Sequence, residues 1–475
     1  MKYFADIHCH PTLKSYGHSF SGKENNKNLK SKGSVWFYDP PNLFEKMIDL
    51  LGGIVKYRQS NFSAQGFGNT GIVFASLYPM ERSFFDNKLG TGEFNDLLLN
   101  FTTSVGRERI DFVQSVTDYF PDLENEYAFL KQMDGKQVTL VDRASYNYSL
   151  ARNSSDVMNI LDADTIDDQK SNSIAVLITI EGAHSFGTGI HPKQKSADPN
   201  KVLGNLEKVK NWEHRPIFVT LAHHFYNELC GHAESLTGLV KSAVDQSYKM
   251  NTGFTPLGLD VVDKLLDNSG GKRILIDIKH MSRTSRLEYF NLLDTKYAGQ
   301  DIPVIVSHGA VIGNEQDKHL FMNSDINLYD DEIVRVARTN GLFGLQLDER
   351  RIAAPGDFEL KKTHSLERRK VLFHSSFLVW RQIQHIAELL DSLGYFAWGI
   401  QSIGSDYDGM IDPINGFWTA ENLPTLEDYL LMQAHTYMKM NSGKLTNSLN
   451  RIDPEEIVNR VMGDNAFNFV MKYYH

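Results

Sequence analysis

Short, mostly apolar runs recur along this chain at 3–7, 71–78, 174–180, 216–222, 273–279, 302–307 and 341–348, and an eighth lies within 396–406. Each has the length of a buried strand, and unbroken apolarity rather than strict alternation marks strands covered on both faces. The intervals carry helical spacing. PLGLDVVDKLLDNSGG predicts an amphipathic helix, with Pro256 near its start and Gly270 and Gly271 after its end. Helices are also predicted in PPNLFEKMIDLLGGIVKY behind an Asp-Pro-Pro start, around 283–297, from Tyr329 to Thr339, and over SSFLVWRQIQHIAELLDSLG. Two more are predicted within 93–133, broken near Pro121. The tail 424–475 is predicted helical, with Asp453-Pro454-Glu455-Glu456 supplying an N-cap and first-turn acids. Eight strands with helices in most intervals predict an α/β fold, a (β/α)8 TIM barrel forming a single domain over 1–475.

Two intervals are expected as long insertions, after the first and fourth barrel strands. Residues 14–71 include SFSGKENNKNLKSKGS, expected as an exposed, mobile loop and a candidate cover for the barrel mouth. Residues 225–256 include GHAESLTG, a candidate lid.

Composition narrows the possible partners. A net charge of -10 argues against a phosphate-binding surface, so no nucleic-acid partner is expected. Cys9 and Cys230 are too few for a disulfide framework and suit a reducing compartment. Neither a basic leader with an apolar core nor a membrane-length apolar run occurs, so the expectation is a cytoplasmic protein without a membrane partner.

The candidate chemistry sits where the strands end: His8 and His10, Glu181, His223, His280, His308 and Asp406. Side chains alternate along a strand, so His8 and His10 share a face and Cys9 points away. A lone His-x-His carries little weight in a chain with 17 histidines. Its position carries more, because barrel active sites lie at the C-terminal ends of the strands. Neutral imidazoles and a carboxylate are ligands for a divalent ion such as zinc, at about 2 Å. Glu181, alone among His8, His10, His280 and His308, could bridge two ions about 3.5–4 Å apart around an activated water. By alternation Lys279 is expected to face the outer helices, away from His280. His184 and His224 are expected in supporting or loop roles, and Asp408 either assists Asp406 or serves a turn before Gly409.

The blocks VLITIEGAHSFG, FVTLAHHF, PLGLDVVDKLLDNSGGKRILIDIKHMS, IPVIVSHG and IGSDYDG resemble, in order, those of the membrane (renal) dipeptidase family of metallopeptidases, within the amidohydrolase superfamily. IVNRVMGDNAFNFV resembles that family's closing helix. The resemblance implies that His8 and His10 hold one metal, His280 and His308 a second, and that Glu181 bridges them. It implies that His223 contacts the substrate carbonyl or tetrahedral intermediate and that Asp406 manages the proton. The activity implied is attack by a metal-bridging hydroxide on the amide bond of a small substrate of the dipeptide class, with two divalent ions, zinc by preference, in a homodimer.

Two positions depart from the pattern. His10 stands where the family usually has Asp. Ile326, in FMNSDINLYDD, stands where the family has an Arg that grips the substrate carboxylate, so that bidentate clamp is missing. Arg350 and Arg351 are candidate substitutes for binding substrate, against a reading as a solvated loop pair. Beside the dipeptidase-like reading stand lactone or cyclic-amide hydrolysis, decarboxylation, and a metal-binding barrel whose catalysis has lapsed.

Overall fold

In the computed structural model, which describes residues 3–85, 100, 103–162, 172–195, 197–313, 318–357, 367–440 and 442–475, one sheet closes on itself. Its strands are β1 (Phe4–Cys9), β2 (Thr70–Leu77), β3 (Val138–Thr139), β4 (Ser145–Leu150), β5 (Asn172–Glu181), β6 (Phe218–Thr220), β7 (Leu275–Asp277), β8 (Ile305–Gly309), β9 (Leu342–Leu345) and β10 (Gln401–Ile403). β1, β2 and β5 to β10 are parallel, each paired with the next, and β10 pairs back to β1 with Ile403 opposite Asp6. The expected (β/α)8 barrel is therefore present.

β3 and β4 were not expected. β4 runs parallel to the first half of β5, Tyr146 opposite Asn172, on the edge that β6 borders further along. The hairpin escapes an apolar-run search because SYNYSL alternates small polar residues with tyrosines.

Ala5, Ile7, Ile72, Phe74, Ala175, Leu177, Phe218, Leu275, Ile305 and Leu342 form one buried cluster drawn from seven barrel strands, which is the lumen. The terminal helix Asn465–Tyr473 closes its lower end with Ala466, Phe469 and Val470. The intervening residues of the same strands join the outer helices in a larger core. The apolar layer occupies the lower barrel and leaves the C-terminal strand ends to polar groups.

The helices follow the predicted spacing, at Leu43–Gly52 with an Asn42 cap, Pro256–Leu266, Arg283–Asp294, Asp330–Arg338 and Arg368–Ser392. Within 93–133 they are Arg107–Ser115 and Phe120–Lys131, so Pro121 starts a helix rather than breaking one. Residues 93–99 lie outside the described set. No helix among the described residues is long and apolar enough to cross a membrane.

The lysine-rich stretch exposes Lys23, Lys27, Lys30 and Lys32, but buried polar residues pin the segment between them. Asn26 Nδ2 donates to the Phe129 carbonyl at 2.9 Å, and Trp36 stacks on Tyr148 of β4. The 225–256 segment is tied to the loop after β7. His232 bridges to Met281, and the Ala233 N–H donates to the His280 carbonyl at 2.9 Å.

Candidate metal centre

Local irregularities aim the side chains. The β1–β2 register slips between Asp6 and Cys9, and the β8–β9 register between Val306 and Gly309. Each bulge resets the alternation, so Ile7 and Ile305 line the lumen while His8, His10 and His308 also turn inward. Cys9 points outward, its Sγ accepting from Gln65 Nε2 at 3.4 Å. His280 (φ 65°) and Asp406 (φ 61°), each just beyond a strand, hold left-handed backbone. Such conformations cost on the order of 1–3 kcal/mol each and persist where the surroundings fix them.

The structure brings together all seven strand-end residues. Four imidazole Nε2 atoms surround Glu181 Oε1: His8 at 3.5 Å, His223 at 3.6 Å, His280 at 3.4 Å and His308 at 3.6 Å. His10 Nε2 lies 3.0 Å from Oε2. Asp406 Oδ1 faces His8 and His10 at 3.7 and 3.6 Å. All are buried, yet neither ring nitrogen of His8 or His10 makes a hydrogen bond within the described residues.

This donor set fits cations. Ligands about 2.0–2.1 Å from a tetrahedral ion stand roughly 3.4 Å from one another, the spacing seen here. Among the described residues four triads of possible ligands converge, His223/His224/His280, His8/His308/Asp406 and the two that share Glu181, His8/His10/Glu181 and Glu181/His280/His308. Burial lowers His280 and His308 well below the ordinary imidazole range, leaving them neutral as ligands must be. Burial would raise Glu181, but the surrounding imidazoles of His223, His8, His10 and His280 hold it well below the usual carboxylate range. Burial also opposes charge on His10, yet Asp406 and Glu181 push it up to about 10. A site that draws a proton so strongly between two carboxylates is one where a cation is wanted.

An outer shell fixes several of these groups. Ser307 Oγ donates to Asp277 Oδ2 at 2.6 Å, so it accepts from His308 Nδ1 at 2.8 Å and frees Nε2 for the centre. His223 Nδ1 donates to Glu81 Oε2 at 2.6 Å, and Glu81 Oε1 accepts the Phe225 N–H at 3.1 Å. Gln346 Nε2 donates to Asp406 Oδ2 at 2.7 Å, while its Oε1 accepts from Lys279 Nζ at 3.2 Å.

Lys279 is thus a correction: it is buried inside the barrel rather than facing the outer helices. Lys279 follows the inward parity of Leu275 and Asp277, and the left-handed turn at His280 brings the next residue inward as well. Burial and Arg351 lower its ammonium to about 7. Glu81, Gln346 and Asp277 are further site residues that the sequence reading did not reach.

The remaining candidates separate. Asp408 accepts from the Gln59 and Ser60 N–H groups and pairs with Lys14 at 3.1 Å, so it anchors the first insertion. His184 Nε2 donates to the Pro79 carbonyl at 2.8 Å. The His224 ring packs at a tilt against that of His223, centroids 3.8 Å apart, and bonds Ser235 Oγ through Nδ1 at 2.6 Å. Ile326 is buried. Arg350 is held by Asp348 at 3.0 and 2.8 Å, whereas Arg351 donates to the Ser235 carbonyl.

Comparison with known proteins bears on the family and the fold. A family model described as membrane dipeptidase (peptidase family M19) matches residues 112–456. A metallopeptidase from Rhodobacter sphaeroides, solved with a phosphinate mimic of the dipeptide L-Ala-D-Ala, superposes with a TM-score of 0.55 at 14% identity, covering 99% of each chain. A structure titled dipeptidase AC, a metallopeptidase of family M19, gives a TM-score of 0.52 at 14% identity over 91% of this chain and 94% of its own. The probable dipeptidase PvdM from Pseudomonas aeruginosa gives 0.52 at 12% identity over 97% and 99%. No curated protein matches in sequence.

Proposed function

The chain belongs to the membrane dipeptidase family of metallopeptidases, and we propose on that footing that it hydrolyses the amide bond of a small peptide, of dipeptide size, at a centre of two divalent ions. The reading is supported above all by the convergence of His8, His223, His280 and His308 on one oxygen of Glu181, with the ring nitrogens of His8 and His10 unsatisfied. His8, His10 and Glu181 would hold one ion, and Glu181, His280 and His308 the other. Histidine nitrogen with carboxylate oxygen favours zinc. When bound, the pair would polarise the scissile carbonyl and make a shared water acidic enough to attack near neutral pH.

The chain's own residues supply the rest. Gln346 holds Oδ2 of Asp406, which leaves Oδ1 toward the centre. From there Asp406 takes the proton of the attacking water and delivers it to the departing amine. Burial opposes charge on His223, but Glu181 and Glu81 raise its pKa. With Nδ1–H committed to Glu81, its Nε2–H donates to the oxygen that becomes negative as the carbonyl turns tetrahedral.

The test is elemental analysis of protein prepared without chelators, joined to assay of L,L- and L,D-dipeptides. About two ions per chain and dipeptide cleavage are expected. A metal-loaded protein that opens a lactone but cleaves no dipeptide would move the reading to another reaction of the superfamily.

A further inference from the structure

Most buried cations among the described residues have a carboxylate partner. Arg109 has Asp122, Arg286 has Glu332 and Arg335 has Asp294, whereas Arg58 and Lys279 bond to neutral oxygens of Ser15 and Gln346. Arg351 is buried, with 7% of its surface exposed, and no carboxylate among the described residues pairs with it. Its guanidinium donates to the neutral Ser235 carbonyl. The acids that bear on it electrostatically, Asp348, Asp406 and Glu234, are each engaged elsewhere, by Arg350, Gln346 and Lys241. A buried guanidinium without a counter-charge is costly, and one that lies beside the metal centre, as Arg351 does and Arg58 does not, is placed to meet an anionic group of a ligand.

Hydrogen-bond donors lie close to Arg351. Ser235 Oγ accepts from Gln246 Nε2 at 2.8 Å, so its own proton goes to His224 Nδ1, 2.6 Å away. That fixes His224 as the tautomer with Nε2–H, a donor. His224 is half-buried, and one of its ring nitrogens lies within 4.8 Å of ring nitrogens of His223 and His280. Ser235 therefore joins a guanidinium and an N–H donor at the flank of the metal centre.

We infer that Arg351, with His224 positioned through Ser235, forms a carboxylate-binding subsite that holds the free acid end of the substrate against the metal centre. The inference rests on the peptidase reading for its substrate but makes a separate prediction about binding. Arg350 is excluded from the role by its double bond to Asp348 and a further one to the Met410 carbonyl.

Two measurements test it on the zinc-loaded full chain. The first compares kcat/KM for L-Ala-L-Ala and its C-terminal amide. Wild type should prefer the acid, and Arg351→Met should cut kcat/KM for the acid about 10- to 100-fold, mostly through KM, with the amide little changed. Arg351→Lys keeps the charge without the fork and should fall between. The second follows the thermal shift produced by N-acetylglycine against N-acetylglycinamide. The acid should stabilise wild type and not Arg351→Met. If no dipeptide is cleaved but this acid-specific shift is present and lost in the variant, the subsite stands and the peptidase reading falls. An unchanged acid-over-amide preference, or equal shifts in both proteins, overturns the subsite. Should Arg351→Met not fold, Arg351→Lys decides alone: a ratio equal to wild type refutes the proposal, and a reduced one supports it.

Discussion

Two buried charge clusters meet at Tyr78, and they are completed in opposite ways. Beneath the first insertion, Arg109 donates to both oxygens of Asp122 at 2.6 Å, Tyr16 adds a bond to Asp122 at 2.9 Å, and Thr12 donates to Glu126 at 2.6 Å. The Tyr78 N–H fills the other Glu126 oxygen at 2.9 Å. In the metal centre, five imidazoles crowd Glu181, and the ring nitrogens of His8 and His10 make no hydrogen bond among the described residues. Burial is nearly complete in both. Charges that answer one another within the protein are architecture, while charges left unanswered describe a ligand. Tyr78 serves both clusters, since its ring lies 4.7 Å from that of His223.

The sharpest way to test this contrast is to remove the charge at the heart of each cluster. Glu181→Gln keeps the shape of the bridging side chain and removes its anion. Activity should vanish and bound metal should fall below wild type by elemental analysis. Metal content equal to wild type would show that Glu181 is not the shared ligand. Asp406→Asn should retain its metal and lose kcat by about 10²–10⁴-fold, because the amide cannot carry the proton. Loss of metal in that variant would instead make Asp406 a ligand.

The architectural cluster should respond in stability alone. Arg109→Met strands the buried Asp122 carboxylate and should cost about 3–5 kcal/mol in a urea titration, with metal per folded chain unchanged. Adding Asp122→Leu should recover part of that loss, since the abandoned charge goes with it. An Arg109 or Asp122 variant that loses metal at full stability would erase the distinction between the clusters.

The two clusters also differ in how far the sequence disclosed them. The barrel was legible because its strands are nearly continuous apolar runs, and the seven strand-end residues were legible because each closes such a run. Their convergence is visible in the coordinates. Glu81, Gln346 and Lys279 were not legible. Glu81 sits four residues past β2 in an ordinary-looking turn, and Gln346 lies just beyond β9 with no charge to draw notice. Lys279 was misread because alternation fails where His280 turns left-handed. The Arg109–Asp122 pair spans two helices and has no motif at all. Bulges and positive φ angles, which aim most of this site, leave little trace in hydrophobic periodicity.

The smallest expected effect lies at the edge of the architectural cluster, at His18 in the helix Leu13–Ser19. Burial, reinforced by Arg58 and Lys32, lowers its imidazole from 6.5 to about 4. The unfolded chain therefore binds a proton between those values that the folded chain refuses, and stability must fall as pH drops from about 6.5 toward 4. The contribution is no more than about 3 kcal/mol and less after solvent screening. His18→Gln should flatten that part of the stability–pH curve while leaving stability above pH 7 and metal content near wild type, as urea titrations at stepped pH would show. The metal centre predicts a different profile, because its histidines must shed protons to bind ions and its acid loss should depend on metal concentration. An acid loss at His18 that shifts with added zinc would mean that the two clusters are coupled through Tyr78 rather than merely adjacent.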